Sequence, residues 1–221
     1  MDLIISVLAD SKIFQGISKE TIRKNFSSFS GNIKSYQKGE IFVSEDDFQN
    51  FIGIILEGEF CVTKMYLDGS QFLLQKAGPS YAVGVDIVFT RTQISPYSVS
   101  ATEDSKIFLL PNDVIRTPGK IDEKFRLIIL ENILTIISHE NMRKYNTLEL
   151  LAKKSLRDKA ITYLLRQKKK YNSSTFTIPL NREQLAEYLC VNRSALSHEL
   201  SLMQKDGLIR YTKNTFTILA P

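Results

Sequence analysis

Cysteine and histidine are scarce in this chain: two of each among 221 residues. Cys61 and Cys190 lie far apart, so no disulfide framework is available, and the usage is that of a reduced, cytoplasmic protein. The two histidines have no regular spacing and the carboxylates are scattered. No metal-ligand cluster, nucleophile–base pattern or phosphate loop can be assembled from them, so no catalytic and no metal-binding residue is assigned. Runs of 18 or more apolar residues are missing too, which argues against a membrane span. The start, Met1-Asp2-Leu3-Ile4-Ile5-Ser6-Val7-Leu8, is apolar but has neither a basic flank nor a clear small-residue cleavage site. It is read as a folded segment rather than a signal peptide. Internal repeats and low-complexity stretches are equally absent.

What is present is an ordinary globular composition, 43% hydrophobic and 24% charged, with room for one large domain or two smaller ones. The net charge of +5 is unevenly spread. Residues 154–221 hold 12 Lys/Arg against 5 Asp/Glu, while the first 153 residues are slightly acidic. A basic C-terminal third attracts a polyanion and gives a salt-sensitive share of binding. Lys168-Lys169-Lys170 is the densest cluster, and it reads equally well as a solvated helix end.

The most specific pattern lies in that basic third. Asn181 to Gly207 reads as two short amphipathic helices joined by Cys190-Val191-Asn192. Asn181 caps the first helix, and Glu183 places negative charge in its first turn. Leu185, Ala186 and Leu189 share one face, and Ala186 is small enough for close helix approach. Asn192 caps the second helix, whose Leu196, Leu200 and Met203 face inward. Ser194, Ser197, His198 and Ser201 fall opposite at i, i+3, i+4, i+7. Short hydrogen-bonding side chains there suit insertion into a DNA major groove, where a solvated helix would carry Glu and Lys. Phe176-Thr177-Ile178-Pro179 before the hairpin reads as a strand. Arg210-Tyr211-Thr212, Lys213-Asn214 and Thr215-Phe216-Thr217-Ile218 after it read as a β-hairpin with a basic tip. The whole is a winged helix-turn-helix, with Lys213 near a DNA backbone, and it outweighs the simpler reading of a plain helical hairpin.

Residues near 30–115 read as short strands: 40–43, 51–56, 60–65, 71–74 and 105–110. Lys38-Gly39, Glu57-Gly58-Glu59, Asp68-Gly69 and Ala77-Gly78-Pro79 supply the turns, as in a β-barrel or roll. Two short helices precede them, around Leu3 to Ala9 and Ser18 to Phe26. A long helix is expected from about Lys120 to Ala152. Within it Leu127, Leu130, Leu134, Ile137, Asn141, Lys144, Leu148 and Leu151 repeat at 3,4 spacing, an a/d seam suited to a two-stranded coiled coil. Asn141 at an a position favours a parallel pair in one register, and Lys144 at d weakens the seam locally. Phe125, Ile129, Ile133 and Ile136 form a second stripe that can pack on the roll. Burial within a monomer is the competing reading, but a helix of about 50 Å is too long to hide in one small domain. Ser155 then opens a further helix, with Asp158 at N3 and Ala160, Leu164 and Leu165 among its apolar residues.

The fold class is α+β: an N-terminal jelly roll over 1–118, a long dimerisation helix and hinge over 119–153, and a winged helix-turn-helix over 154–221. That order resembles the Crp/Fnr family of bacterial transcription regulators, including the cyclic-AMP receptor proteins. The resemblance is carried by Leu180 to Leu189 through Gly207-Leu208-Ile209 and by the glycine framework Lys38-Gly39-Glu40, Leu56-Glu57-Gly58, Asp68-Gly69 and Gly78 before Gly84. It implies that Arg182 and Asn192 contact phosphates. It also puts Arg193, Ser194, Ser197 and His198 at base-reading positions, where Arg193 can address guanine bidentately for roughly 1–3 kcal/mol of discrimination. His198 stands where relatives commonly have Arg, and Ser194 where they often have Glu, so a different operator is expected. Cys190 stands where the family turn usually has Gly, so either it accepts a less favourable backbone conformation or the turn differs slightly.

By the same resemblance a cyclic nucleotide pocket needs a Gly-Glu pair and a later Arg-Ser or Arg-Thr pair. Here Gly84 is followed by Val85, the later pair aligns with Thr92-Gln93, and Arg91 is displaced by one position. A buried phosphate without its guanidinium is costly, so cyclic AMP is not the expected effector. An iron–sulfur sensor needs about four cysteines, which this chain lacks, so a cluster is not expected. Haem is left open, as are a small organic ligand and a constitutively DNA-competent form controlled by its own expression, and no cofactor is assigned. Lys144 and Tyr145 align where relatives let an effector touch the long helix. The implied partners are double-stranded DNA with an inverted-repeat operator, a second copy of the chain, and RNA polymerase if the protein activates; no membrane is involved. The alternative is a ligand-binding signalling module that acts through protein partners, which the basic C-terminal third and the polar helix face disfavour.

Overall fold

The computed structural model describes residues 1–66 and 71–219. The expected turn at Asp68-Gly69 lies outside the described residues. The chain divides into two compact units, Met1–His139 and Glu140–Pro221.

The first unit opens with α1 (Asp2–Asp10) and α2 (Lys19–Asn25), close to the two helices expected. Among the described residues eight strands follow: β1 (Asn32–Tyr36), β2 (Ile41–Val43), β3 (Phe51–Glu57), β4 (Phe60–Met65), β5 (Gln71–Ala77), β6 (Ala82–Val83), β7 (Ser98–Ala101) and β8 (Ser105–Pro111). They form two antiparallel sheets, ordered β1-β8-β3-β6 and β2-β7-β4-β5. β3 and β8 explain why their sequences are nearly all apolar: both faces are covered. Ile55, Ile107 and Leu109 point between the sheets, with Phe42, Phe60, Val62 and Val99 from the other sheet. Ile52, Ile54, Phe108 and Leu110 point the other way, onto helical residues such as Leu8, Ile22 and Ile115. Gly53 faces inward because the Phe42 ring lies on it; a Cβ there would meet Phe42 Cζ at 2.5 Å.

Of the strands among the described residues, five match expected segments, while β1, β6 and β7 carry no pattern that predicts them. β1 is an edge strand with mostly exposed residues, so it has no apolar alternation to read. β6 has two residues and β7 four, too short for a periodic signal.

After α3 (Asn112–Arg116) comes α4 (Glu123–Leu151), the long helix, which runs from one unit into the next. Phe125, Ile129 and Ile133 are buried in the first unit's core, and Ile136 packs against it, as the second stripe requires. The heptad seam is divided in its fate. Leu130 and Ile137, its d positions, lean half-buried on that same core. Leu127, Leu134 and Leu148, its apolar a positions, are 54%, 65% and 67% exposed, with Asn141 exposed between them.

The second unit contains α5 (Leu156–Tyr171), β9 (Thr175–Thr177), α6 (Arg182–Tyr188), α7 (Arg193–Lys205), β10 (Ile209–Thr212) and β11 (Thr215–Ile218). Ser155 caps α5 by accepting from Asp158 N at 2.9 Å. Leu164 is buried as expected, but Leu165 is 41% exposed and Tyr163 takes the core position instead. The strands form an antiparallel sheet ordered β10-β11-β9. One core joins α5, the hairpin helices and the sheet: Leu164, Leu185, Leu189, Leu196, Leu200, Met203, Ile209 and Phe216 are all buried in it. Each such side chain is worth about 1.5–3 kcal/mol of burial, so the helix-turn-helix is held by its own domain.

Candidate nucleic-acid interface

The interface is built from the two capped helices upward. Asn181 Oδ1 accepts from Gln184 N at 2.9 Å, and Gln184 Oε1 accepts from Asn181 N at 2.9 Å, a complete capping box. The chain leaves α6 through Cys190, whose φ of 53° lies in the left-handed region; this is the strained turn expected where relatives carry glycine. Asn192 then caps α7: its Oδ1 accepts from Ser194 N at 2.8 Å and from Ser194 Oγ at 2.6 Å.

Leu196, Leu200 and Met203 are fully buried and fix which side of α7 faces out. Arg193, Ser194 and His198 are exposed on that side, and Ser197 is half-exposed. Among the described residues Arg193 and His198 have no hydrogen-bond or ion-pair partner, so both heads are available. The hydroxyls of Ser194 and Ser201 are engaged. Ser194 Oγ donates to the cap, and Ser201 Oγ donates to Ser197 O at 3.0 Å and meets the Tyr211 hydroxyl at 3.3 Å. Arg193 and His198 are therefore the freest long side chains on this face.

Arg157, at the start of α5, clamps α7 from behind. Its Nε donates to Glu199 Oε1 and its Nη1 to Asp206 Oδ2, both at 2.6 Å. Those hydrogen bonds, Glu199 first, raise the Arg157 guanidinium above its ordinary value. The sequence gives no local sign of this contact, which spans some forty residues. Gln184 does carry a local sign: Asn-x-x-Gln before an apolar run is a recognisable capping pattern.

The wing is the hairpin β10–β11 with Lys213 exposed at its tip. Arg182 does not project freely from α6. Its guanidinium carbon lies 5.0 Å from the Tyr211 ring centre and 5.6 Å from that of Phe216, and Nη2 donates to Lys213 O at 3.3 Å. Desolvation against these rings lowers its pKa, with Arg193 adding and Tyr211 opposing. Arg182 thus lies between Arg193, close enough to lower its pKa, and the wing that carries Lys213 at its tip.

The sensor-half candidates are not brought together in the same way. Gly84 has a φ of 84° and begins a tight turn, its carbonyl accepting from Ile87 N and Val88 N. Val85 is buried in the helix-packed core, and it carries no carboxylate for a ribose hydroxyl. Arg91 and Thr92 are exposed. Gln93 is tied to Gln49: Gln93 Nε2 donates to Gln49 O at 3.0 Å, and Gln49 N donates to Gln93 O at 2.7 Å. These residues do not fit the donor set of a cyclic phosphate. Lys144 and Tyr145 are exposed on the C-terminal unit's share of α4. Among the described residues no group of three or more His, Cys, Asp or Glu side chains could hold a metal ion, and no helix is long and apolar enough to cross a membrane.

An antiparallel roll, a long helix and a winged helix-turn-helix with an outward polar face define a DNA-binding regulator class. Residues 159–221 match the Crp-like helix-turn-helix domain and residues 33–117 the cyclic nucleotide-binding domain. The transcriptional activator protein FnrL of Cereibacter sphaeroides is 25% identical over 185 residues, covering 80% of this chain and 71% of that protein. Among solved structures, CprK in complex with OCPA aligns with a TM-score of 0.59 at 19% identity, over 91% of this chain and 92% of that one. The catabolite activator protein of Thermus thermophilus aligns with a TM-score of 0.55 at 18% identity, over 94% and 93%. These two structural likenesses establish the fold. The two domain matches, which together span about two thirds of the chain, and the curated relative mark it as a Crp/Fnr family regulator. It is a DNA-binding transcription regulator of that type, and the family's members are regulators rather than enzymes. A module acting only through protein partners is not favoured.

Proposed function

We propose that the chain acts in the cytoplasm as a homodimer whose two α7 helices read inverted half-sites of one operator in successive major grooves. The observation that carries this reading is the outward face of α7, where Arg193 and His198 stand free on a helix whose opposite face is fully buried. Arg193 is assigned to guanine O6 and N7, His198 and Ser197 to the adjoining base edges, and Asn192 and Lys213 to the backbone. Pairing is assigned to the exposed a-position stripe Leu127, Leu134, Asn141 and Leu148, a surface a lone chain would leave wet. Ser194 acts mainly through the cap it completes.

Control does not run through cyclic AMP on this reading. A buried Val85 beside Gly84, an exposed Arg91 and a Gln93 engaged with Gln49 support a remodelled sensor, and two cysteines are too few for an iron–sulfur cluster. Lys144 and Tyr145 remain the candidate coupling positions on α4. Contact with RNA polymerase follows if the operator lies where the protein activates. Titration of R193A/H198A against a duplex bound by the wild type tests the assignment: loss of sequence preference with retained salt-sensitive binding is expected, and unchanged preference contradicts it.

A further inference from the structure

Arg182 is committed to the wing, and this commitment suggests a role other than the phosphate contact that family resemblance implies. Tyr211 and Phe216 face each other across the hairpin, ring centres 5.6 Å apart and planes at 28°. The guanidinium lies against both rings. A planar, weakly hydrated cation can spread over two aromatic rings; a lysine ammonium, compact and strongly hydrated, cannot do so. The same group donates to the carbonyl of Lys213, the residue at the tip. Lys213 has a φ of 52°, the left-handed conformation that a two-residue hairpin turn asks of its first central residue. The far side of Tyr211 is tied to α7, its N donating to Gln204 Oε1 at 3.2 Å and its hydroxyl meeting Ser201 Oγ at 3.3 Å. Arg182, on α6, and α7 therefore both grip the wing through Tyr211.

We infer that Arg182 is a positioning residue: stacked on Tyr211 and Phe216 and bonded to the Lys213 carbonyl, it fixes the wing tip so that the Lys213 ammonium meets the DNA backbone. The inference rests on the assignment of Lys213 to the backbone. It separates two roles that net charge cannot distinguish. A guanidinium that itself binds phosphate acts independently of Lys213, and a lysine in its place keeps most of the effect. A guanidinium that acts through the wing acts only via Lys213, and a lysine fails in its place.

The test is a set of titrations of the full chain on one duplex selected by the wild type, each repeated over a salt series, with thermal melts of each free variant. K213A is expected to reduce the slope of log affinity against log salt by about one per half-site. R182K and Y211L keep every cation of the interface, yet each is expected to lose the same increment while melting close to wild type. R182K/K213A is expected to be no weaker than K213A, because the two residues share one contact. Wild-type slopes in both R182K and Y211L overturn the inference, as do additive effects in R182K/K213A. A K213A variant with unchanged slope also overturns it, by removing the wing-tip contact. The wild-type titration reports separately on whether the protein reads DNA at all. R182K, the mildest change, decides the matter if Y211L does not fold.

Discussion

Asn181 and Gln184 cap each other at the start of α6, two reciprocal hydrogen bonds of 2.9 Å. Each satisfies a backbone N–H that a helix start otherwise leaves without a partner. Because α6 is only seven residues long, one lost cap is a large share of its local stability. N181A is expected to destabilise the protein by about 1 kcal/mol and Q184A by less, with N181A/Q184A short of the sum. Chemical denaturation followed by circular dichroism measures all three.

The a-position stripe of α4 gives a second prediction. Leu134 is 65% exposed, so L134E should leave the folded chain intact and place two carboxylates opposite each other in a parallel pair. Sedimentation equilibrium is expected to show a dimer for the wild type and a monomer for L134E at micromolar concentration. N141L is expected to tighten the dimer while relaxing its register. A wild-type dimer that L134E does not weaken would place the contact elsewhere.

Cys190 occupies the left-handed turn between α6 and α7 with its side chain exposed. C190G removes the backbone conflict but loosens the unfolded chain, leaving a net stabilisation of up to about 1 kcal/mol. A rise of a few degrees in the melting midpoint is expected, and DNA affinity should not change. A lower midpoint would show that the thiol packs usefully at this turn.

Tyr163 predicts how the protein responds to alkali. Burial first, then the neighbouring Tyr188 and Tyr171, push its phenol up to about 12 from 10.0. The folded state therefore disfavours the phenolate. Its stabilising share is complete below pH 10 and is lost as the pH rises through about 12. Y163F should match the wild type at neutral pH and resist denaturant better in that alkaline window. Urea midpoints measured on both sides of pH 10 check the sign. Equal alkaline losses in the two proteins would refute it.

How much of this was legible in the sequence depended on the range of each signal. The α6–α7 hairpin could be read because its capping residues and its period are local. Asn192, Leu196, Leu200 and Met203 all lie within one element and its cap. The strands β3, β4 and β8 were legible because burial on one or both faces leaves apolar runs or alternation. β1, polar and at an edge, left no such mark. The heptad seam was visible as spacing, but spacing cannot say that Leu130 and Ile137 lean on the chain's own core while Leu127 and Leu134 do not. The Arg157 clamp on Glu199 and the Arg182 stack on Tyr211 join residues tens of positions apart, and no local pattern encodes them.

The assignment of α7 as a paired DNA reader is tested most directly by selecting bound duplexes from a random pool with the full chain and measuring how many chains each selected duplex takes up. Enrichment of an inverted repeat, with half-site centres about 10–10.5 base pairs apart and two chains per duplex, is the predicted result. No enrichment, or a single unrepeated site filled by one chain, would contradict it.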